Sequence, residues 1–481
     1  MGGLSAGRDD PAVFVRPQVV RVSLWAVFGL WLARRVVRLL LLIVRSPAAL
    51  TGIGVTAGFV AGWQFVSPAL PLGLLGGLVA WLVGWRWRRP ASFNVHASDR
   101  ARSWWRGSWV YRRRWAAAMD TVGLTKERHG TDYIPVLLSV KSNRWMDKLT
   151  LRMLPGQRVQ DFVDLADRIA PTFGVHDCRV RTCRNPHKVQ LWLLVRDPLD
   201  ALVDPFPPAA SLAAGLPVAI CEDGRPWLLR LLGNHVLIVG ATGAGKSGIL
   251  WCIIFALAGF IRAGVVKVWA VDPKGGMELA FGRPLFDRFA YGNPNSPGGY
   301  EASLALLLED AVAEMRRRAD RLMGVTRLHT PTVAEPLLVV LVDEIAALTG
   351  WIIDRTMKKR IDSALSLLLT QGRAVGVVVV GAIQDPRKDV IPQRDLFTIR
   401  IGLRVNEADH VRLTLGSDAY NRGAACERIP RRLHGVGYVD QDGIPDPVRV
   451  RFAWHGDDTI AQLVAPPAAV MPFTRPETDA A

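Results

Sequence analysis

Gly240-Ala241-Thr242-Gly243-Ala244-Gly245-Lys246-Ser247 completes the pattern G-x-x-x-x-G-K-[ST]. The residues around it supply the context that this pattern needs. His235 to Val239 is a short apolar run of the kind that forms a buried strand, and Gly248 to Ala263 is an apolar run compatible with a helix. Glycines let the backbone wrap tightly, so that successive N–H groups point at one anion. The helix that follows adds the positive end of its dipole. On this reading the whole loop from Gly240 to Ser247 holds the phosphates of a nucleoside triphosphate. Lys246 bridges the β- and γ-phosphates, and the Ser247 hydroxyl is a ligand to Mg²⁺.

A second signal lies downstream. Pro336 opens an apolar run that ends in Asp343-Glu344. In an ATPase built on such a loop, the first acid holds the metal shell and the second polarises the attacking water. Asp343 is therefore the expected Mg²⁺-side residue and Glu344 the expected base. Gly376 to Gly381 leads into Ala382-Ile383-Gln384, and a polar residue at the tip of a strand is placed to sense the γ-phosphate, which points to Gln384. Arg373, Arg400 and Arg404 are candidates for an arginine supplied to a neighbouring subunit's nucleotide. Ordinary salt bridges are the competing reading for each. The runs Val265–Asp272, Leu337–Val342, Gly376–Gly381 and Thr398–Leu403 alternate with helical stretches. That alternation predicts an α/β fold with a mostly parallel sheet covered on both faces, and the nucleotide at the strands' carboxyl ends.

The rest of the 481 residues divides by composition. Residues 133–204 read as strand, strand, helix, strand, strand, a small α+β domain, and Pro-rich 205–215 reads as a linker to a motor at 216–455. Residues 456–481, rich in Pro and Ala, read as a flexible tail. Near the amino end, Ala48–Val66 and Ala69–Trp85 are uncharged apolar stretches separated by Ser67-Pro68. They predict a two-helix transmembrane hairpin at 47–89, with Arg45 before it and Arg86, Arg88 and Arg89 after it. Basic flanks on both sides place the motor in the cytoplasm and the protein at the cell membrane as a multi-pass chain. Val22–Val44 contains Arg34, Arg35 and Arg38, which would cost about 8–10 kcal/mol at the bilayer centre. Residues 1–46 therefore predict a cytoplasmic segment with an amphipathic helix. Residues 90–132 interleave Trp and Arg, a juxtamembrane composition that suits membrane lipids. The formal charge of +17 favours a polyanionic partner. Five scattered cysteines fit a reducing compartment. His176, Cys178, Cys183 and His187 lack the spacing of a standard zinc knuckle.

The motor resembles the FtsK/SpoIIIE family of DNA translocases. The resemblance rests on the loop together with Leu216-Pro217-Val218-Ala219, Glu222-Asp223-Gly224-Arg225, Asp272-Pro273-Lys274 followed by Glu278-Leu279, Arg373-Ala374-Val375-Gly376, Gly381-Ala382-Ile383-Gln384 and Arg400 to Arg404, in the family's order. It implies a RecA-like motor that uses ATP and Mg²⁺, a homo-hexamer, and double-stranded DNA threaded through the ring. In layout the chain is similar to membrane-anchored conjugal transfer proteins, which implies other transfer proteins as further partners. Chromosome-segregating members carry a four-helix membrane region and a winged-helix domain. Here one hairpin is visible, and the stretch after Val439 is too short for a winged helix. A type VII-like secretion ATPase that drives protein export is the rival reading, and chromosome segregation a second. An ABC-type transporter is disfavoured because no Leu-Ser-Gly-Gly-Gln signature occurs.

Overall fold

A computed structural model describes residues 69–128, 131–291, 299–350, 352–387, 389–444 and 446–465. The chain divides into two compact units, Met1–Asn94 and Val95–Ala481. In the first, the described part is mainly one helix, α1 (Ala69–Arg88). Its uncharged portion stops at Trp85, and no helix among the described residues is long and apolar enough to cross a membrane. The predicted amphipathic helix, the first arm of the predicted hairpin and residues 466–481 lie outside the described residues.

The second unit starts with a four-stranded antiparallel sheet of β1 (Val136–Ser142), β2 (Met146–Arg152), β3 (Asp177–Thr182) and β4 (Lys188–Leu194), in the order β1-β2-β4-β3. Alternate residues Leu149 and Leu151 of β2 and Val189, Leu191 and Leu193 of β4 face one side and are buried there. Two helices, with Phe162 beside them, cover that side. One is α3 (Ala166–Phe173), through Ile169 and Ala170. The other is α2 (Arg113–Val122), through Trp115, Ala118, Met119 and Val122. The small domain therefore begins well before residue 133. The stretch expected to be a juxtamembrane segment supplies one wall of its core, because every third or fourth residue from Tyr111 to Val122 is apolar and faces the sheet.

The motor is a ten-stranded mixed sheet. Its strands are β5 (Leu216–Cys221), β6 (Pro226–Leu229), β7 (Val236–Val239), β8 (Val266–Asp272), β9 (Arg288–Tyr291), β10 (Leu337–Val342), β11 (Val377–Ile383), β12 (Ile399–Leu403), β13 (Val436–Gln441) and β14 (Val448–Phe452), in the order β9-β8-β10-β11-β7-β12-β13-β14-β5-β6. From β9 to β12 every pairing is parallel, and from β12 to β6 every pairing is antiparallel. The all-apolar strands are buried on both faces. Leu338, Val340 and Val342 enter one core with α5 (Gly299–Leu322) and α6 (Arg355–Gln371). Leu337, Val339 and Leu341 enter the other with α4 (Lys246–Arg262). The predicted flexible tail is corrected in part. α8 (Asp457–Val464) buries Ile460 and Leu463 in the second core, and Leu463 accepts a hydrogen bond from Arg262. The helix itself holds no proline and a single alanine; the Pro/Ala richness of residues 456–481 lies after it, from Ala465 on. Between β12 and β13 lies α7 (Ala408–Leu415).

Charged pairs join the small domain to the motor. Arg179 on β3 is 2.8 Å from Glu222 and donates to the Tyr438 hydroxyl at 3.2 Å. Arg181 pairs with Asp446 at 3.1 Å, and Arg449 with Asp197 at 2.8 Å. No described residue before Val95 enters any of the three cores.

His235 leads into β7. Its Nδ1 accepts the Val379 N–H at 2.9 Å, and the ring is fully buried. Burial, and then the charge of Arg373, pulls its pKa down to about 3. A base depressed in the fold contributes full stability above its unfolded pKa, near 6.5, and loses it as pH falls towards 3. Its share of the loss between pH 7.5 and 5 is about 2 kcal/mol. Urea titration of residues 95–481 is expected to show a drop that much smaller in His235→Gln, whose side-chain oxygen still accepts from Val379.

Candidate active site

β7 carries the chain into the loop that opens α4. Two positions require glycine. A Cβ at Gly240 would lie 2.9 Å from the Leu403 Cβ, and one at Gly245 would lie 2.8 Å from the Gly435 backbone nitrogen. Gly245 also has φ of 105°, which side-chain-bearing residues rarely adopt. The Gly435 N–H donates to Ala244 O at 2.9 Å, and His434 Nδ1 lies 2.6 Å from Gly243 O, so the loop is braced from behind. Lys246 is nearly buried. Its Nζ curls over the loop and donates to Gly240 O at 2.9 Å and to Ala241 O at 3.4 Å. Burial lowers its pKa, and the Glu344 charge opposes that shift.

β10 ends at this loop's flank with Asp343 and Glu344, both buried. Ser247 Oγ donates to Asp343 Oδ1 at 3.4 Å. A hydroxyl and a carboxylate this close are hard oxygen donors of the kind Mg²⁺ takes, and Mg²⁺ needs only one or two protein ligands because it keeps its waters. Among the described residues no cluster of three or more His, Cys, Asp or Glu side chains that could hold a metal ion occurs. Glu344 Oε1 accepts the Gln384 N–H at 3.3 Å, while Oε2 is buried with no hydrogen-bond partner. Burial raises the Glu344 carboxyl pKa, with Lys246 and then Lys274 pulling against it.

β11 lies between the loop strand β7 and the acid strand β10, so Gln384 at its end stands between loop and acids. Its Oε1 accepts the Thr242 hydroxyl at 3.0 Å. One glutamine thus links the phosphate loop to Glu344 through its side chain and its backbone.

The three arginines go to different places. Arg404 stands beside its own chain's loop, donating to Thr242 O at 3.0 Å, and its carbonyl accepts the Ala241 N–H at 2.9 Å. Arg400 does not reach the loop. It pairs with Asp440 across β12 and β13 at 2.7 Å, the salt-bridge reading. Arg373 is exposed at the amino end of β11, the opposite end of the sheet from the loop. Sequence reasoning assigned no role to Lys274, which is 2.9 Å from Asp343 Oδ2 and 3.9 Å from Glu344 Oε2. Burial alone would lower the Lys274 pKa, but the hydrogen bond and charge of Asp343 outweigh it and raise it. Asp272 sets its position. Asp272 Oδ1 accepts from Lys274 N at 3.1 Å, and Oδ2 accepts from Glu278 N and Leu279 N at 2.9 Å. The available signal was Asp-Pro-Lys at the end of a buried strand.

Residues 213–335 match the sequence model of the FtsK/SpoIIIE family. The motor is a P-loop ATPase domain similar to those of the FtsK/SpoIIIE family. The chain is similar to the DNA translocase FtsK of Streptococcus agalactiae, 25% identical over 343 residues that cover 66% of this chain and 40% of that protein. It is similar also to the DNA translocase SftA of Bacillus subtilis, 26% identical over 341 residues, 66% of this chain and 34% of that one. The matches thus span less than half of each relative's length. Among solved structures, the pCW3 conjugation coupling protein TcpA with ATPγS superposes with a TM-score of 0.46 at 17% identity, covering 73% of this chain and 98% of that one. The cytoplasmic domain of the Thermomonospora curvata type VII secretion ATPase EccC gives 0.42 at 23% identity, covering 56% and 33%.

Proposed function

We propose that this protein is a membrane-anchored motor that hydrolyses ATP to move double-stranded DNA through a homo-hexameric ring in conjugative transfer. One observation carries the reading: Lys246, Ser247, Asp343, Glu344 and Gln384 converge at the carboxyl ends of β7, β11 and β10 in a domain similar to those of the FtsK/SpoIIIE family. The relatives' name, DNA translocase, and the formal charge of +17 support DNA as the polymer. Anchoring rests on the apolar stretches Ala48–Val66 and Ala69–Trp85 and their arginine flanks.

The residues divide the work. Loop N–H groups from Gly243 to Ser247 and the α4 dipole hold the phosphates. Lys246 exchanges its carbonyl contacts for phosphate oxygens. Mg²⁺, when held by Ser247 and Asp343, supplies neutralising charge to the β- and γ-phosphates. Glu344 takes the proton of the attacking water at Oε2, the oxygen with no hydrogen-bond partner. Gln384 ties that carboxylate to Thr242, so the base and the phosphate loop shift together.

The test is phosphate release by residues 95–481 with duplex DNA of increasing length. A rate that rises several-fold with duplex length is expected. A rate indifferent to duplex of any length, but raised by a secreted peptide, would replace DNA with protein as cargo.

A further inference from the structure

The helical segment from Arg100 to Trp115 has two faces with opposite character. The inner face is welded to the small domain. Tyr111 hydrogen-bonds the buried carboxylate of Asp147, which also pairs with Arg106 at 3.1 Å, and Trp115 Nε1 donates to Pro135 O at 2.7 Å. Gly107 allows close approach to β1: a Cβ there would already stand 3.4 Å from the Val140 Cβ. The outer face presents Trp104, Trp105 and Trp109, which are 70%, 54% and 55% exposed, with Arg112, Arg113 and Arg114 exposed beside them. Arg113 lies 4.9 Å from the Trp109 ring centre. No acidic residue occurs between Asp99 and Asp120.

We infer that this outer face docks on an anionic lipid surface and makes the small domain a bracket between membrane and motor. The inference rests on the membrane placement proposed above. Two observations select lipid. Charge complementarity is one: a segment with no acidic residue from Arg100 to Met119 and three consecutive exposed arginines, Arg113 of them against Trp109, attracts anionic headgroups, each arginine worth about fivefold in partition. Exposed indoles are the other. A bilayer interface accepts tryptophan rings at headgroup level, whereas duplex DNA keeps its bases stacked and offers phosphates, which need cations but no rings. In the chain, α1 ends at Arg88, twelve positions before Arg100. Because the inner face is fixed to β1 and β2, and β3 is joined to the motor through Arg179 and Glu222, lipid contact here would fix the motor's orientation as well as its location.

Residues 95–481, whose three cores take no described residue from before Val95, are mixed with vesicles of phosphatidylcholine alone or with phosphatidylglycerol, and sedimented. Binding to the anionic vesicles only is expected, with tryptophan quenching by brominated lipid. Arg112→Gln/Arg113→Gln/Arg114→Gln is expected to weaken binding roughly 100-fold. Trp104→Ala/Trp105→Ala/Trp109→Ala is expected to lose the quenching. Both variants should keep the wild-type melting temperature and basal ATPase rate, since neither set touches a core or the nucleotide site. Equal sedimentation with both vesicle types, or wild-type binding by both variants, overturns the inference. So does capture of the face by duplex DNA in place of vesicles, measured as variant-sensitive gel retardation. A failed ATPase assay with intact vesicle binding would instead count against the motor reading alone.

Discussion

Glu344→Gln should lower ATP turnover by about 10²–10⁴-fold while leaving ATP binding near its wild-type value. The substitution changes one oxygen to an amide nitrogen. Glu344 Oε1, which accepts the Gln384 N–H, has a counterpart in the glutamine oxygen, so the link from acid strand to β11 survives. The altered position is Oε2, which is buried, has no hydrogen-bond partner and stands 3.9 Å from Lys274. An amide there accepts no proton from water, so the change removes the base. It also removes a buried negative charge whose pKa is already raised by burial, so the fold should lose nothing measurable. Phosphate release at steady state gives the rate, and retention of labelled ATP on a filter gives the binding. Turnover within about threefold of wild type would show that the water is activated elsewhere, outside the range of general-base effects.

The parallel half of the sheet was legible because strands buried on both faces must be apolar throughout. Leu337–Val342 and Val377–Ile383 announce themselves by that requirement alone. The loop and the acid pair were legible because their chemistry is written in consecutive residues. What sequence could not supply was lateral order. That β11 sits between β7 and β10 is a property of the folded sheet, and it converts Gln384 from a polar residue at a strand end into the bridge between Thr242 and Glu344. Lys274 was missed for the same reason: its partners lie on the neighbouring strand, 69 positions away for Asp343. Arg400 shows the converse. It looked available because its neutraliser, Asp440, belongs to the antiparallel strand that returns after α7. The Trp/Arg segment was read by composition, which sees both faces at once. The structure separates them, sending Tyr111 and Trp115 inward and Trp104, Trp105 and Trp109 outward.

Lys246→Ala, by contrast, should lose ATP binding together with hydrolysis. The ammonium is the one side-chain cation of the phosphate loop itself, and removing two charge-assisted hydrogen bonds should cost about 3 kcal/mol, roughly 100-fold in ATP affinity. Turnover should fall to background, since the group that draws charge from the γ-phosphate is gone. The fold should not suffer. Without nucleotide, Lys246 is a nearly buried cation held by the Gly240 and Ala241 carbonyls, and burial depresses its pKa, the mark of a group held there against its solvation. Its removal should leave the melting temperature unchanged or slightly raised. ATP should then stabilise wild type and Glu344→Gln but not Lys246→Ala, because ligand stabilisation scales with the ratio of ligand concentration to Kd. Nucleotide titration by thermal shift reads all three proteins in one experiment. If ATP raised the melting temperature of Lys246→Ala as much as that of wild type, the triphosphate would be bound away from this loop, and Glu344 would have no water to activate.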